Sequence, residues 1–251
     1  MQKGTLYLIP VSLGPSPSSL TTPTDVATRA RQLNYFVVEN AKTARAELKR
    51  LEHPAQLRGL DIRELPEKPG TADLDGLLAP LLAGLDAGLM SEAGCPAVAD
   101  PGALLVRRAH EKDIRVVPLV GPSSLLLALM ASGLNGQSFA FHGYLPVDEE
   151  ARNKRIRELE TESARHARTQ LFIETPYRNE RMFEALRSTC RPETRLCVAR
   201  DLTLESEWIS THSIADWKRT PAPDLARHPT VFLILAARTK PAGGAPAQST
   251  R

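Results

Sequence analysis

The 251-residue chain is poor in cysteine: it has three, Cys95, Cys190 and Cys197, and none stands in a C-x-x-C pair. An odd number without metal-ligand spacing argues against a disulfide framework and predicts reduced thiols in a cytoplasmic protein. Long hydrophobic runs are missing too. No window approaches the roughly 18 consecutive apolar residues of a membrane helix, and the start, MQKGTLYLIP, carries too short an apolar run for a secretory signal. The expectation is a soluble protein with no membrane partner. Nor does one charge sign dominate, since 32 Lys and Arg against 29 Asp and Glu leave +3. Any surface for nucleic acid must therefore be local.

Several familiar site motifs are absent as well. Without G-x-G-x-x-G, a classical dinucleotide loop or common Rossmann-type methyltransferase loop is unsupported. Without G-x-x-x-x-G-K-[ST] there is no P-loop, and without H-E-x-x-H or a spaced Cys/His cluster no metal site is expected. Proline is in excess, 20 residues of 251, about 8% against a usual ~5%. Many prolines stand where apolar runs end, as loop punctuation. The stretch RTKPAGGAPAQSTR (238–251) has no periodicity and predicts a flexible tail over 239–251.

Between these punctuation marks, short apolar runs alternate with helix-period segments. TLYLIPV (5–11), YFVVEN (35–40), DIREL (61–65), AGLMS (87–91) and IRVVPLV (114–120) predict strands. TDVATRARQL, KTARAELKRL, LDGLLAPLLAGL and GALLVRRAHEKD carry the 3.6-residue period of helices. Such alternation predicts a parallel or mixed sheet covered by helices. Beyond Gly136 the texture changes: SFAFHGYL, TQLFIET, RLCVARDL, EWISTHSI and TVFLILAA read as strands around the charged helix EEARNKRIRELETESARHA and the helix NERMFEALRSTC. The chain thus divides into an α/β domain over 1–136, a second over 137–238, and the tail.

In open α/β sheets ligands bind beyond the carboxyl ends of strands, and three such ends carry unusual chemistry. PVSLGPSPSS follows the first strand. EAGCPAVADPG follows AGLMS, where Gly94 permits close backbone approach, Pro96 and Pro101 fix the loop, and Glu92 and Asp100 supply acceptors. GPSSLLLALMASG follows the fifth strand, where Gly121 and Pro122 turn the chain, Ser123 or Ser124 caps a helix and Gly133 ends it. Ordinary capped turns would use the same residue types, so each loop alone leaves both readings open.

Taken in order, GTLYLIP, LMSEAGCPAVADPG, IRVVPLVGPSS, FAFHGYLP, LFIETPYR and VARDLT resemble the tetrapyrrole methylase superfamily. Within it they are most similar to the bacterial 16S rRNA ribose 2′-O-methyltransferases, over roughly residues 4–237. The resemblance implies two α/β domains with S-adenosylmethionine held in the cleft between them, and a homodimer. Matched position by position, it implies a cofactor site made of Ile9, Pro10, Ser91, Glu92, Ala93, Gly94, Cys95, Val120, Pro122, Ser123 and Tyr144. The chain departs from the family where Thr-Pro-Ile-Gly-Asn-Leu is replaced by Ile9, Pro10, Val11, Ser12, Leu13 and Gly14. At Glu92 it keeps a carboxylate one methylene longer.

A sulfonium methyl donor reacts by in-line displacement, so holding the acceptor behind the methyl group supplies most of the catalysis. For a ribose hydroxyl of small-subunit rRNA, His142, Glu174 and Glu92 are the candidate bases or hydroxyl orienters, with His142 and Glu174 the catalytic pair expected. A structural His142 and a structural Glu174–Arg178 ion pair are the competing readings. The arginines of 152–160, 165–168, 178, 181, 187 and 191 offer a basic face for RNA, or a solvated helix surface laced with glutamate. Methylation of a small molecule or another RNA, and a non-catalytic donor-binding protein, remain open. A Ser123 hydrolase is disfavoured because GPSSL lacks the second glycine of a G-x-S-x-G elbow.

Overall fold

The computed structural model describes residues 2–99 and 102–237; the expectations for Asp100, Pro101 and the tail lie outside them. The chain forms two compact units. One comprises Met1–Leu127 and Asp201–Ser206, the other Ala128–Arg200 and Glu207–Arg251.

The first unit holds five strands, β1 (Thr5–Leu8), β2 (Tyr35–Val38), β3 (Asp61–Glu64), β4 (Ala87–Met90) and β5 (Arg115–Pro118), in the parallel order β3-β2-β4-β1-β5. Its helices are α1 (Ser18–Thr21), α2 (Thr24–Arg31), α3 (Ala41–Arg50), α4 (Thr71–Leu82) and α5 (Ala103–Glu111). The order fixes their sides. The β1→β2 and β2→β3 steps run toward the β3 edge, while β3→β4 and β4→β5 run toward the β5 edge. Right-handed crossovers therefore place α2 and α3 on one face, α4 and α5 on the other.

The side chains agree. Phe36 and Val38 pack with Ala30, Ala44 and Leu48, whereas Tyr35 and Val37 pack with Leu74, Leu78, Leu105 and Ala109, the alternation a doubly covered strand requires. Helix starts follow local chemistry: the Asn40 side chain accepts from Lys42 N and Thr43 N at the head of α3, and Asp73 accepts from Gly70 N at that of α4.

The division between units falls within α6 (Ser124–Ser132), which ends at Gly133 with φ +68, the left-handed stop expected of that glycine. In the second unit β6 (Phe139–Tyr144), β7 (Thr169–Ile173), β8 (Arg195–Arg200), β9 (Trp208–Ser213) and β10 (Thr230–Leu235) take the order β6-β7-β10-β8-β9; β6 and β7 run parallel and the other pairs antiparallel. The helices α7 (Glu149–His166), α8 (Asn179–Thr189) and α9 (Ile214–Trp217) supply Ile156, Leu159, Met182, Phe183, Leu186 and Trp217 to its core. Asp148 caps α7 by accepting from Ala151 N, and Trp217 Nε1 donates to Leu196 O at 2.9 Å, satisfying a buried indole.

Most strands end sooner than their apolar runs. The run 5–11 gives four strand residues because Pro10 has no N–H to extend a ladder. The one-turn helices α1 and α9 and the 3₁₀ turns at Leu57–Gly59 and Pro176–Arg178 are too short to have a legible period.

Candidate functional site

β4, β1 and β5 are neighbours in the first sheet, so the three chemically unusual loops leave from adjacent strand ends. They are joined to one another. Beyond β1, Ile9 N donates to Leu89 O at 2.9 Å and Leu119 N to Leu8 O at 2.9 Å. One step further, Val11 and Gly94 form an isolated antiparallel bridge, each N–H donating to the other's carbonyl at 2.9 Å. Cys95 Sγ then donates to Pro122 O at 3.5 Å, and the fifth-strand loop is drawn in. Gly121 lies so close to the first loop that a Cβ on it would stand 2.3 Å from Pro10 Cβ; any side chain there would push the two loops apart.

The expected cofactor residues of this unit thereby separate into a floor and a rim. Ile9, Pro10, Ser91, Gly94 and Pro122 are buried and Cys95 and Ser123 half-buried, whereas Glu92 and Ala93 are exposed and Val120 is 72% exposed. Ser91 Oγ donates to Ala93 O at 3.2 Å, holding its own turn. Ser123 starts α6 through its carbonyl, which accepts from Leu127 N at 3.0 Å.

The loop after β4 is strained. Gly94, Ala97 and Ala99 have φ of +74, +66 and +66. The two alanines each cost about 1–2 kcal/mol against an ordinary conformation, a cost that clusters at functional loops.

Two carboxylates not identified from the sequence hold these loops from behind. Glu39, one residue past β2, accepts from Glu92 N at 3.0 Å. Glu47, buried on α3, accepts from Ser12 Oγ at 3.0 Å and pairs with Arg50 through both oxygens, and Arg50 Nη2 donates on to Thr22 Oγ1 at 3.2 Å. The first loop is thus tied near both ends to one helix. These partners lie 53 and 35 positions apart in sequence, so no local pattern announces them.

In the second unit, β6 carries a register shift between Phe141 and Tyr144, with Gly143 at φ +63. Glu174 follows β7, buried, and its Oε1 accepts from Thr175 N at 2.6 Å, Arg178 Nε at 3.0 Å and Arg178 Nη2 at 2.7 Å. That hydrogen bond raises the Arg178 guanidinium pKa, and the guanidinium lies 5.3 Å from the centre of the Tyr177 ring. Tyr144 is 58% exposed.

His142 has a different set of partners: Nε2 lies 2.6 Å from Gln170 Oε1 and Nδ1 lies 3.4 Å from Arg155 Nη2. Since arginine only donates, Nδ1 accepts and Nε2–H donates. Both ring nitrogens are engaged.

All three cysteines are free thiols. Burial raises the pKa of Cys95 and Cys197 and pushes that of Cys190 up to about 12, so none is an activated nucleophile. Among the described residues no His, Cys, Asp or Glu group is arranged to hold a metal ion. No helix among them is long and apolar enough to cross a membrane.

The fold is that of the tetrapyrrole methylases: the solved structure of the methyltransferase CobJ matches 96% of this chain and 97% of its own, with a TM-score of 0.60 at 22% identity. No family model matches the chain. Individual relatives do. Ribosomal RNA small subunit methyltransferase I of Pseudomonas aeruginosa is 30% identical over 241 residues, 94% of this chain and 80% of the relative. The protein of the same name from Escherichia coli O157:H7 is 31% identical over 211 residues, 84% and 68%. That of Vibrio cholerae is 34% identical over 167 residues, 66% of this chain. The chain belongs to the ribosomal RNA small subunit methyltransferase I family. It spans 57% of the length of the Vibrio cholerae relative.

Proposed function

We propose that the chain is an S-adenosylmethionine-dependent methyltransferase acting on a ribose 2′-hydroxyl of small-subunit rRNA. The observation that carries the reading is the joining of the β1, β4 and β5 loops through the Val11–Gly94 bridge and the Cys95–Pro122 contact, in a chain whose relatives are named for ribosomal RNA methylation. The donor supplies a methyl group made electrophilic by a sulfonium centre. The buried floor from Ile9 to Pro122 gives it a surface that does not reorganise. Backbone groups around Gly94 and Ala97 take its polar edges, and the exposed Glu92 carboxylate takes its ammonium. Rigid placement of this kind is the main catalytic device for an in-line transfer.

Glu174 is the residue we assign to the acceptor. Its Oε1 is occupied by Arg178 and Thr175, while Oε2 accepts from none of the described residues, which leaves one oxygen to orient a hydroxyl and receive its proton. Tyr144 offers a ring against which a nucleoside packs. His142, with both nitrogens engaged, is the second candidate base. The exposed Leu126 and Met130, four residues apart on α6 and 51% and 79% exposed, support a homodimer, and reduced thiols support a cytoplasmic location. Methylation of a small molecule or another RNA is the alternative, favoured by one feature: Val11, Ser12 and Leu13 stand where the resemblance leads one to expect Ile-Gly-Asn.

Calorimetric titration with S-adenosylhomocysteine tests the donor site. The wild type is expected to bind and Gly94→Trp, which fills the loop surface, to lose binding while remaining folded. A folded wild type that does not bind overturns the reading. Transfer of labelled methyl from S-adenosylmethionine to small subunits, against free nucleosides, then separates the two acceptors.

A further inference from the structure

On the flank of α7 that meets α8, arginines stand without carboxylate partners. Residues 149, 153, 157, 160 and 164 follow one another by three or four positions and so share that flank. At its N-terminal end a hollow of about 460 Å³ is lined by Arg152, Asn153 and Ser188 with Arg181 of α8, and by the carboxylates Glu149 and Glu184. Toward its C-terminal end a second, of about 500 Å³, is lined by Arg157, Thr161 and Arg165 with Arg191 and its partner Glu160. Position 152 to position 165 is 13 residues of helix, about 20 Å.

The charges sort unevenly. Of the neighbouring acids, Glu158 and Glu162 pair with Arg155, Glu184 with Arg187, and Glu160, buried, with Arg191 and with Arg191 N; the exposed Glu149 at the start of α7 forms no ion pair among the described residues. Arg157, Arg165 and Arg181 are exposed and pair with no carboxylate among the described residues. Arg152 spends one nitrogen on Val147 O, and its Nε is buried without a partner, as is Asn153 Oδ1. A merely solvated face would place its glutamates against its arginines at i,i+3 and i,i+4. Here that happens for Arg155 and Arg187 and fails for Arg152, Arg157, Arg165 and Arg181 among the described residues.

We propose that this flank is a track for the phosphate backbone of an RNA strand, with Arg152 and Arg181 at one end and Arg157, Arg165 and Arg191 at the other. Rows of guanidinium groups on a rigid helix suit phosphates, which accept bidentate pairs, and the aromatic-free hollows suit backbone more than stacked bases. The inference rests on the proposed RNA acceptor and adds the surface that positions it. Positioning by phosphate contacts is independent of sequence, so the track sets affinity and register and leaves the choice of nucleotide to other residues.

The test is fluorescence anisotropy of a labelled single-stranded RNA 20-mer with the full chain at several salt concentrations. The track variant Arg157→Gln, Arg165→Gln, Arg181→Gln is compared with Arg63→Gln, Arg107→Gln, Arg219→Gln, which removes the same charge from exposed arginines that are carboxylate-paired. Expected is about a tenfold or greater loss for the track variant, with the log K against log salt slope reduced in magnitude by roughly 2 at about 0.7 per phosphate contact, and a change under about twofold for the control. Equal losses in both variants, no loss in the track variant, or a wild type that does not bind RNA would each overturn it. So would equal competition by poly-glutamate of matched charge, which would assign the flank to an acidic polypeptide. S-adenosylhomocysteine titration of the same proteins reads the donor site separately, so failure of the track and failure of the methyltransferase reading are distinguishable.

Discussion

Val11 and Gly94, 83 positions apart in sequence, exchange both backbone hydrogen bonds at 2.9 Å. This bridge makes the loops after β1 and β4 a single surface, and its glycine sits at φ +74 with open contact distances, 3.5 Å to Leu13 Cδ2 and 3.8 Å to Pro122 O for an added Cβ. Gly94→Ala therefore meets no clash, only the left-handed backbone penalty of about 1–2 kcal/mol. Denaturant unfolding should show that loss, and S-adenosylhomocysteine affinity should fall with it. Gly121→Ala, whose Cβ would collide with Pro10, should weaken binding more than Gly94→Ala does. The reverse order would remove the loop junction from the donor site.

Glu47 is the anchor behind the first loop. Removing its carboxylate in Glu47→Ala leaves Arg50 without its ion pair in a buried setting where Nη1 already has no partner, and a cost of about 3–5 kcal/mol follows. Ser12→Ala removes only the hydroxyl bond to Glu47, worth about 1 kcal/mol. Thermal melts should separate the two variants clearly. If the loop tie matters to binding, Ser12→Ala should raise the S-adenosylhomocysteine Kd at temperatures where it is fully folded.

The two-sheet architecture was legible because period carries it: every strand and every helix longer than two turns lies on an apolar run or a 3.6-residue pattern. The three strand-end loops were legible from Gly and Pro placement, and Gly133 from its position at the end of a helix period. Strain at Ala97 and Ala99 was not, since alanine gives no sign of a left-handed backbone. Glu39 and Glu47 were also hidden, because their partners Glu92 and Ser12 are set by the crossing of loops and helices and not by spacing. His142 and Glu174 could be singled out as polar residues at strand ends, yet the partners that separate them, Gln170 and Arg155 against Arg178, depend on strand register and helix packing.

Tyr35 gives the fold a pH dependence of definite sign. Its hydroxyl donates to Leu77 O at 2.7 Å, and burial pushes its pKa up to about 12, with Arg63 opposing the shift; the unfolded value is near 10. The neutral phenol is thus favoured in the folded state. Its stabilising contribution is complete below pH 10 and is lost as pH rises from 10 to about 12, roughly 2–3 kcal/mol across that window. Unfolding midpoints measured from pH 8 to 12 should fall less steeply for Tyr35→Phe than for the wild type, although the variant starts about 1 kcal/mol lower through the lost hydrogen bond.

Glu174 and His142 make opposite predictions. Glu174→Gln keeps an oxygen for Arg178 and Thr175 but removes the charge that would take a hydroxyl proton. If Glu174 serves the acceptor, turnover on small subunits should fall by about 10²-fold or more, with S-adenosylhomocysteine affinity within about twofold of wild type. His142→Gln removes a ring that Gln170 and Arg155 already occupy on both nitrogens, and should cost stability, about 1–3 kcal/mol from the buried Gln170 left short of a partner, with turnover within a few-fold.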